Sequence, residues 1–331
     1  MRNLLYIILI VIVAGIASPV FALTVSPVKL EISGDPGQTL IEEIELLNEQ
    51  SETKTFYSSF ENFEPSGESG APSFIGAKEG LATWVKTESQ VTLKSNERKK
   101  ISFSITVPKD AEPGGHFAAI FFGSQAPKAQ GGGQVTVGSK IGVLMLLRIS
   151  GEVKEGGGLL EFSGKNKQRF FSSLPIILTY RFNNTGGDRV VPIGEIKIKN
   201  SFGFTSTTLS ANKNNGSVLP SSARKFEIIW EQTQKDPNIK PIDVKEDKDP
   251  GFFEIAGRQW NELHFGWYTA KMKLAWGAAN QIANSSYNFF IIPWQLLLII
   301  FIILTVLGFL GRIGLKKYNR FIIAQARQQQ K

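Results

Sequence analysis

Residues 289–310 form a run of 22 in which Gln295 is the only strongly polar side chain. Wound as a helix, that run is roughly 33 Å long, enough to cross the hydrocarbon core of a bilayer. Behind it stand Arg312, Lys316, Lys317, Arg320, Arg327 and Lys331 with no acidic residue among them. Cations on one flank place that flank in the cytoplasm, and Trp294 marks the opposite interface. The other end of the chain is apolar in a different way. Met1-Arg2-Asn3 leads into an uncharged stretch from Leu4 to Ile16 and then Ser18-Pro19-Val20-Phe21-Ala22. This is the pattern of a secretory signal peptide, with cleavage expected between Ala22 and Leu23. The two ends together predict a single-pass protein of the cytoplasmic membrane, its bulk outside and its C-terminal tail inside. Trp294, Arg312, Lys316 and Lys317 are its expected interface anchors.

That topology changes the meaning of the charge. A formal net charge of +8 and a pI near 9.4 invite a nucleic-acid reading. Setting aside Arg2 and the six tail cations leaves 30 Lys and Arg against 29 Asp and Glu. The exported part is close to neutral, its charges are interspersed, and no nucleic-acid partner is expected. The basic tail is explained by the anionic inner leaflet. With no cysteine in the chain, disulfides, thiolate metal sites and cysteine nucleophiles are excluded.

The exported residues read as strands. Ile101, Phe103, Ile105 and Val107 share one face of a period-two pattern, with Lys100, Ser102, Ser104 and Thr106 on the other. Similar alternation appears at Ile176, Leu178, Tyr180 and Phe182, at Phe226, Ile228 and Trp230, and from Tyr268 to Trp276. No exported stretch of ten residues shows a helical stripe. Turn clusters such as Gly34-Asp35-Pro36-Gly37, Asn183-Asn184-Thr185-Gly186-Gly187 and 212–216 separate the strands. The pattern predicts an all-β protein of two tandem immunoglobulin-like antiparallel sandwiches. The first spans 23–152 and the second 159–288, joined by a Gly-rich linker at 153–158. A transmembrane helix at 289–311 and a cytoplasmic tail at 312–331 follow. A second Gly-rich stretch, 129–133, is expected to be a hairpin loop, and 232–250 a surface insertion. Ile101, Phe103, Ile105, Phe121, Leu144, Leu146, Leu178, Tyr180, Phe182, Ile196, Ile228, Trp230, Met272 and Leu274 are the expected inward residues.

Several of these segments carry a family resemblance. Thr24-Val25-Ser26-Pro27, the run from Ile105 through Val107-Pro108-Lys109-Asp110-Ala111-Glu112-Pro113-Gly114-Gly115 to Ile120, and the strand from Ile141 to Gly151 resemble the first domain of the WxL-interacting proteins. Phe182-Asn183-Asn184-Thr185-Gly186, Pro192 to Ile196, Val218 to Arg224, Phe265-Gly266-Trp267-Tyr268 and Ile292-Pro293-Trp294 resemble their second half. The resemblance implies a bacterial cell-surface protein with a peptidoglycan-binding first domain and a partner- or host-binding second domain. Peptidoglycan and a secreted WxL-type surface protein are the partners it implies.

Candidate chemistry is sparse. Pro113, Gly114, Gly115 and His116 are the candidate ligand contacts, since glycines admit close backbone approach and histidine can hydrogen-bond a sugar or carboxylate; the competing reading is a tight turn into a strand. His264 and Trp267 are either a glycan-stacking pair or core. There is no nucleophile elbow, phosphate-binding glycine loop or paired-histidine motif, so no catalytic residue, cofactor or metal is expected and the chain is read as a non-enzyme. Two functions are in view. One is a membrane-anchored binding and adhesion protein that tethers wall polymer or a secreted partner. The alternative is a membrane-tethered assembly chaperone acting by β-strand addition. A pairable strand edge in the first domain would favour the second; a concave patch would favour the first.

Overall fold

Alternating side chains in short runs between Gly- and Asn-rich turns can bury one face only by stacking sheet on sheet, and the chain does so twice. A computed structural model describes residues 23–126, 139–231, 251–261 and 263–328, with side chains as far as Arg320. The expected signal segment up to Ala22, the Gly-rich stretch 129–133 and the insertion 232–250 lie outside the described residues. The described chain is all-β with one long C-terminal helix, and it divides into two units.

The first unit runs to Gly157 and includes the segments Asn184–Val190 and Val218–Ala223. In chain order it contains β1 (Leu23–Ser26), β2 (Lys29–Gly34), β3 (Thr39–Asn48), β4 (Lys54–Ser66), β5 (Ala71–Gly76), the short helix α1 (Leu81–Trp84), β6 (Val85–Lys86), β7 (Gln90–Leu93), β8 (Arg98–Thr106), β9 (Gly114–Gly123) and β10 (Lys140–Ile149). One sheet has the order β1-β3-β8-β6; the other has β2-β10-β9-β4-β5, with β7 also paired to β4. Ile44, Leu46, Ile101, Phe103 and Ile105 from the first sheet meet Ile120, Phe122, Val143, Met145 and Leu147 from the second, all essentially fully buried.

That core corrects the sequence reading of β9 and β10. Phe121, Leu144 and Leu146 alternate with the residues that point into the core and lie on the opposite face of the sheet. Phe121 and Leu146 are nonetheless buried, and Leu144 is half-buried. Both faces of these strands are apolar, so composition does not reveal which parity is inward.

The second unit contains β11 (Gly157–Gly164), β12 (Phe170–Phe171), β13 (Ile176–Asn184), β14 (Ile193–Asn200), β15 (Thr205–Ser210), β16 (Ser222–Trp230), the helix α2 (Phe252–Asn261), β17 (Gly266–Trp276), β18 (Gln281–Ile291) and the helix α3 (Trp294–Gln328). Its sheets have the orders β11-β13-β16 and β12-β18-β17-β14-β15. Leu178, Tyr180, Phe182, Ile228 and Trp230 are buried, as are Ile196, Met272 and Leu274. Tyr180 stacks on Phe226 with ring centres 4.7 Å apart.

Three boundaries differ from expectation. Gly157 and Gly158, expected in the linker, open β11. Phe252–Asn261 is a ten-residue helix where no helical stripe was expected; its buried face includes the polar Gln259, which hides the stripe. Phe289, Phe290 and Ile291, expected in the membrane span, complete β18. They pair with Tyr268, Trp267 and Gly266, and Phe289 and Ile291 point inward. Pro293 lacks an N–H to continue the ladder and suits the start of a helix. The helix therefore begins at Trp294, and 27 residues, Trp294–Arg320, form the one described helix long and apolar enough to cross a membrane.

Candidate functional site

In the first unit, β10 is ten residues long, and one side of it is fully paired: all ten lie opposite β9, from Lys140 against Gly123 to Ile149 against Gly114. On the other side, β2 runs parallel to it and covers only Leu144 to Ile149. The Leu144 amide donates to the Val28 carbonyl oxygen and the Ser150 amide to that of Gly34, each at 3.0 Å. Even-numbered residues thus aim their main-chain groups at the β2 side. By that alternation the N–H and C=O of Lys140 and Gly142 point outward beyond the end of β2. Among the described residues no strand pairs with 140–143 there.

The side chains around this free half-edge are apolar. Ile141 and Val143 are on the core-facing side, Val143 fully buried and Ile141 37% exposed. On the opposite side Gly142 lies under the ring of Phe121; a Cβ at Gly142 would stand 2.6 Å from that ring. Phe121 belongs to an aromatic group with Phe74 (4.8 Å), which packs on Phe63 (6.1 Å), which in turn packs on Phe117 (5.9 Å). The Lys140 ammonium sits 4.1 Å from the Phe121 ring centre and pairs with Glu61, which holds its charge on the outer face and away from Ile141. The start of β2 is fixed by Lys29, Glu31 and Arg189, with ion-pair distances of 2.7 and 2.8 Å to Glu31. The hydrogen bond from Lys29, aided by the charge of Arg189, holds the Glu31 carboxyl below the usual carboxylate range against the opposing effect of burial.

The residues singled out from sequence lie elsewhere. Gly114, Gly115 and His116 open β9, with Pro113 immediately before them. Gly114 has φ +120°, and a Cβ there would stand 2.5 Å from the Gly187 carbonyl oxygen, so only glycine fits. The Gly115 amide donates to that same oxygen at 3.0 Å. His116 Nε2 lies 2.8 Å from the Glu112 carbonyl oxygen, and its ring packs on Trp84 at 4.9 Å. The geometry of this run is that of a packed strand start. In the second unit the structure separates His264 from Trp267. His264 packs on Trp230 at 5.1 Å and helps line a groove of about 870 Å³ between β15 and β16, whereas Trp267 packs on Phe290 at 5.8 Å. Trp294 is the first residue of α3, with its ring 5.7 Å from Phe252; Arg312, Lys316 and Lys317 are exposed further along the same helix. Leu23 is buried in β1.

No protein-family model and no curated protein matches the sequence. Among solved structures, the class 5 fimbriae chaperone CfaA is 12% identical with a TM-score of 0.37, covering 80% of this chain and 99% of that one. The CsuC–CsuE chaperone–tip adhesion subunit pre-assembly complex of Acinetobacter baumannii is matched at 8% identity and TM-score 0.36, over 80% of this chain and 98% of that one. The E. coli chaperone DraB is matched at 9% and 0.35, over 81% and 97%. These likenesses are distant, and the chemistry of the edge rests on its own geometry.

The free half-edge was not visible from sequence, because it arises from a mismatch in length between β2 and β10, two strands more than a hundred residues apart. The sole trace was the apolar-rich ten-residue stretch Lys140–Ile149 beside the shorter Lys29–Gly34.

Proposed function

We propose that this protein is a membrane-anchored envelope protein that takes an extended segment of an exported protein by strand addition along residues 140–143 of β10. The observation that carries this reading is the half of β10 left unpaired among the described residues, where two outward-pointing main-chain pairs lie beside Ile141 and Val143. An incoming strand gains main-chain hydrogen bonds from the first and apolar burial over Ile141, whose side chain is still partly exposed, the combination used in strand-addition recognition. The helix α3 holds the two units at the membrane, with Arg312, Lys316 and Lys317 on the cytoplasmic side. In this reading the activity is binding, and the partner is a secreted or exported protein. The resemblance to the WxL-interacting proteins makes a WxL-type surface protein the first candidate partner and peptidoglycan the second.

The test uses the full chain in native envelopes. A photo-crosslinking side chain at Ile141 should form an adduct with an exported protein, while the same group at Ile282 of β18 should not. Ile141→Lys, which places a charge where the incoming strand would pack, should abolish capture by a crosslinker at Val28, and Ile141→Leu should restore it. Adducts of equal yield at positions 141 and 282 overturn strand addition at this edge. Sedimentation with purified peptidoglycan that Ile141→Lys leaves unchanged, with no protein adduct at 141, replaces it with the wall-tethering reading.

A further inference from the structure

The end of the second unit from which α3 leaves carries an unusual concentration of exposed aromatic side chains. Six of them, Phe202, Phe204, Phe253, Trp260, Phe265 and Trp267, are between 51% and 84% exposed. They come from three separate segments. The β17–β18 ladder places Gly266 opposite Ile291 and Trp267 opposite Phe290, three and four residues before the helix starts at Trp294. The β14–β17 ladder places Asn200 opposite Tyr268, so the β14–β15 turn lies at the same end. That turn is held firmly: Asn200 Oδ1 accepts from the amides of Phe202 (3.1 Å) and Phe204 (3.0 Å), while Ser201 Oγ accepts from the Trp267 amide and donates to its carbonyl, both at 3.0 Å. Two phenyl rings are thereby presented outward on a rigid tip. Phe265 and Trp267 flank Phe290 at 6.1 and 5.8 Å. Neither 200–204 nor 263–267 contains a charged residue.

The third segment is α2, and it is locked to the root of α3. Gln259 is buried; its Nε2 donates to the Ser172 carbonyl oxygen (3.0 Å) and to Gln295 Oε1 (2.6 Å), and its Oε1 accepts from the Leu296 amide (2.9 Å). Gln295, the only strongly polar side chain of the apolar run, is buried with its Oε1 held by α2 and is not left in lipid. Phe253 and Trp260 are seven residues apart, on one face of α2, and both point away from the protein.

The length of α3 decides what meets these rings. Because β18 takes up Phe289–Ile291, the uncharged part of the helix is Trp294 to Gly311, 18 residues or about 27 Å, slightly less than the roughly 30 Å of a typical hydrocarbon core. A span this short has no apolar length to spare above the hydrocarbon: the bilayer thins or the flanking cations snorkel to keep it inserted, and its first turn stays close to the headgroups. The elements fixed to that turn are then drawn into the interfacial layer, where tryptophan and phenylalanine are favoured. From this we infer that the aromatic end of the second unit, including α2, rests in the headgroup and upper acyl region of the phospholipid bilayer, an inference that builds on the reading of α3 as a membrane span. The second unit is then held against the membrane surface rather than swinging on its anchor.

The chain has no cysteine, so single cysteines can be labelled with a nitroxide in the full-length protein reconstituted into phosphatidylcholine–phosphatidylglycerol bilayers. Labels in Phe202→Cys, Phe204→Cys and Trp260→Cys should be more accessible to molecular oxygen than to an aqueous nickel complex, as at the headgroup boundary. Ala279→Cys, in the turn after β17, should read as fully aqueous, and Leu304→Cys as deep in the bilayer. In a second set, Phe253→Cys carries the label while Phe202, Phe204 and Trp260 are replaced together by Ser; the label should move toward the aqueous reading. If the three boundary labels match Ala279→Cys while Leu304→Cys remains deep, the surface contact is refuted and the anchor stands. If Leu304→Cys is aqueous as well, both fail. Spin–spin broadening at 202 or 260 that disappears on dilution with unlabelled chain shows a second copy on this face, and also overturns the proposal.

Discussion

Strands β3 and β13 occupy corresponding places in the two sandwiches and bury the same pattern in different chemistry. In β3 the inward residues are Ile44, Leu46 and Asn48; in β13 they are Tyr180, Phe182 and Asn184. Each asparagine ends its strand and ties the following corner. Asn48 Nδ2 donates to the carbonyls of Glu52 (2.9 Å), Lys94 (3.0 Å) and Leu93 (3.2 Å), and its Oδ1 accepts from the Gln50 amide (3.1 Å). Asn184 Nδ2 donates to Asp188 (2.7 Å) and Val218 (2.9 Å), and its Oδ1 accepts from the Gly186 amide (2.9 Å). The two sheets that face these strands also share a design, a hairpin flanked by a short parallel edge strand. β2 covers six residues of β10, and β12 only two of β18. The longer free edge is the more polar one: the core-facing positions early in β18 are Gln281, Ala283 and Ser285, against Ile141 and Val143 in β10. Edge exposure alone therefore does not make a docking site. An edge becomes one where an added strand would also bury apolar surface, and polar side chains are a common defence where it would not.

The largest effect that can break this comparison lies within β10 itself. Leu147, fully buried beside β2, should lose about 2–5 kcal/mol of stability on replacement by Ala. Ile141→Ala, at the free end, should cost about 1 kcal/mol or less, because its side chain is already partly in water. Urea unfolding of the two variants measures both. Equal losses would mean that residues 140–143 are packed like the rest of the strand and are not a free edge.

The two asparagines come next. Asn48→Ala and Asn184→Ala each strip the buried partners from at least two carbonyls and one amide, and each should cost about 1–3 kcal/mol by the same unfolding assay. A loss at one position and none at the other would break the equivalence of the two corners. Asn→Asp at either site should be at least as damaging, since a carboxylate accepts where these carbonyls require a donor.

These corners also show what could be read from sequence. Period-two alternation located β8, β13, β16 and β17, and Ile101, Phe103, Ile105, Met272 and Leu274 are inward as expected. The Asn-Thr-Gly cluster was legible as a turn, but the clamp made by Asn184 was not, because its partner Val218 is 34 residues away. Alternation misassigned Phe121, Leu144 and Leu146, where both faces of the strand are apolar and hydrophobicity carries no parity. It also missed α2, whose buried face is completed by a glutamine that finds its partners in Ser172, Gln295 and Leu296. Composition alone placed Phe289–Ile291 in the membrane, whereas their pairing with β17 was fixed by residues more than twenty positions upstream.

The smallest predicted effect tests the aliphatic-to-aromatic difference between β3 and β13. Tyr180 is fully buried, and its hydroxyl has no hydrogen-bond partner among the described residues. Burial pushes its phenol well above the usual tyrosine range, and the nearby Arg224 guanidinium offsets this only in part. The sign follows from proton binding. Below the unfolded value of about 10 both states are protonated and the group leaves stability unaffected by pH; above it the unfolded chain releases the proton first, so stability falls as pH rises toward the folded value. Tyr180→Phe removes a polar atom that gains nothing from burial and keeps the stacking on Phe226. The variant should match the parent or exceed it by about 1 kcal/mol at pH 8, with the margin widening above pH 10. The measurement is the urea midpoint of each protein across that range, taken as a difference so that lysine deprotonation, common to both, cancels. Tyr268, also raised by burial, leaves a residual alkaline slope in the variant. A margin that does not change with pH would show that the phenol is solvated or bonded in the folded protein. A variant less stable than the parent at pH 8 would show that the hydroxyl has a partner, and the aromatic core of the second unit would then be as well satisfied as the aliphatic core of the first.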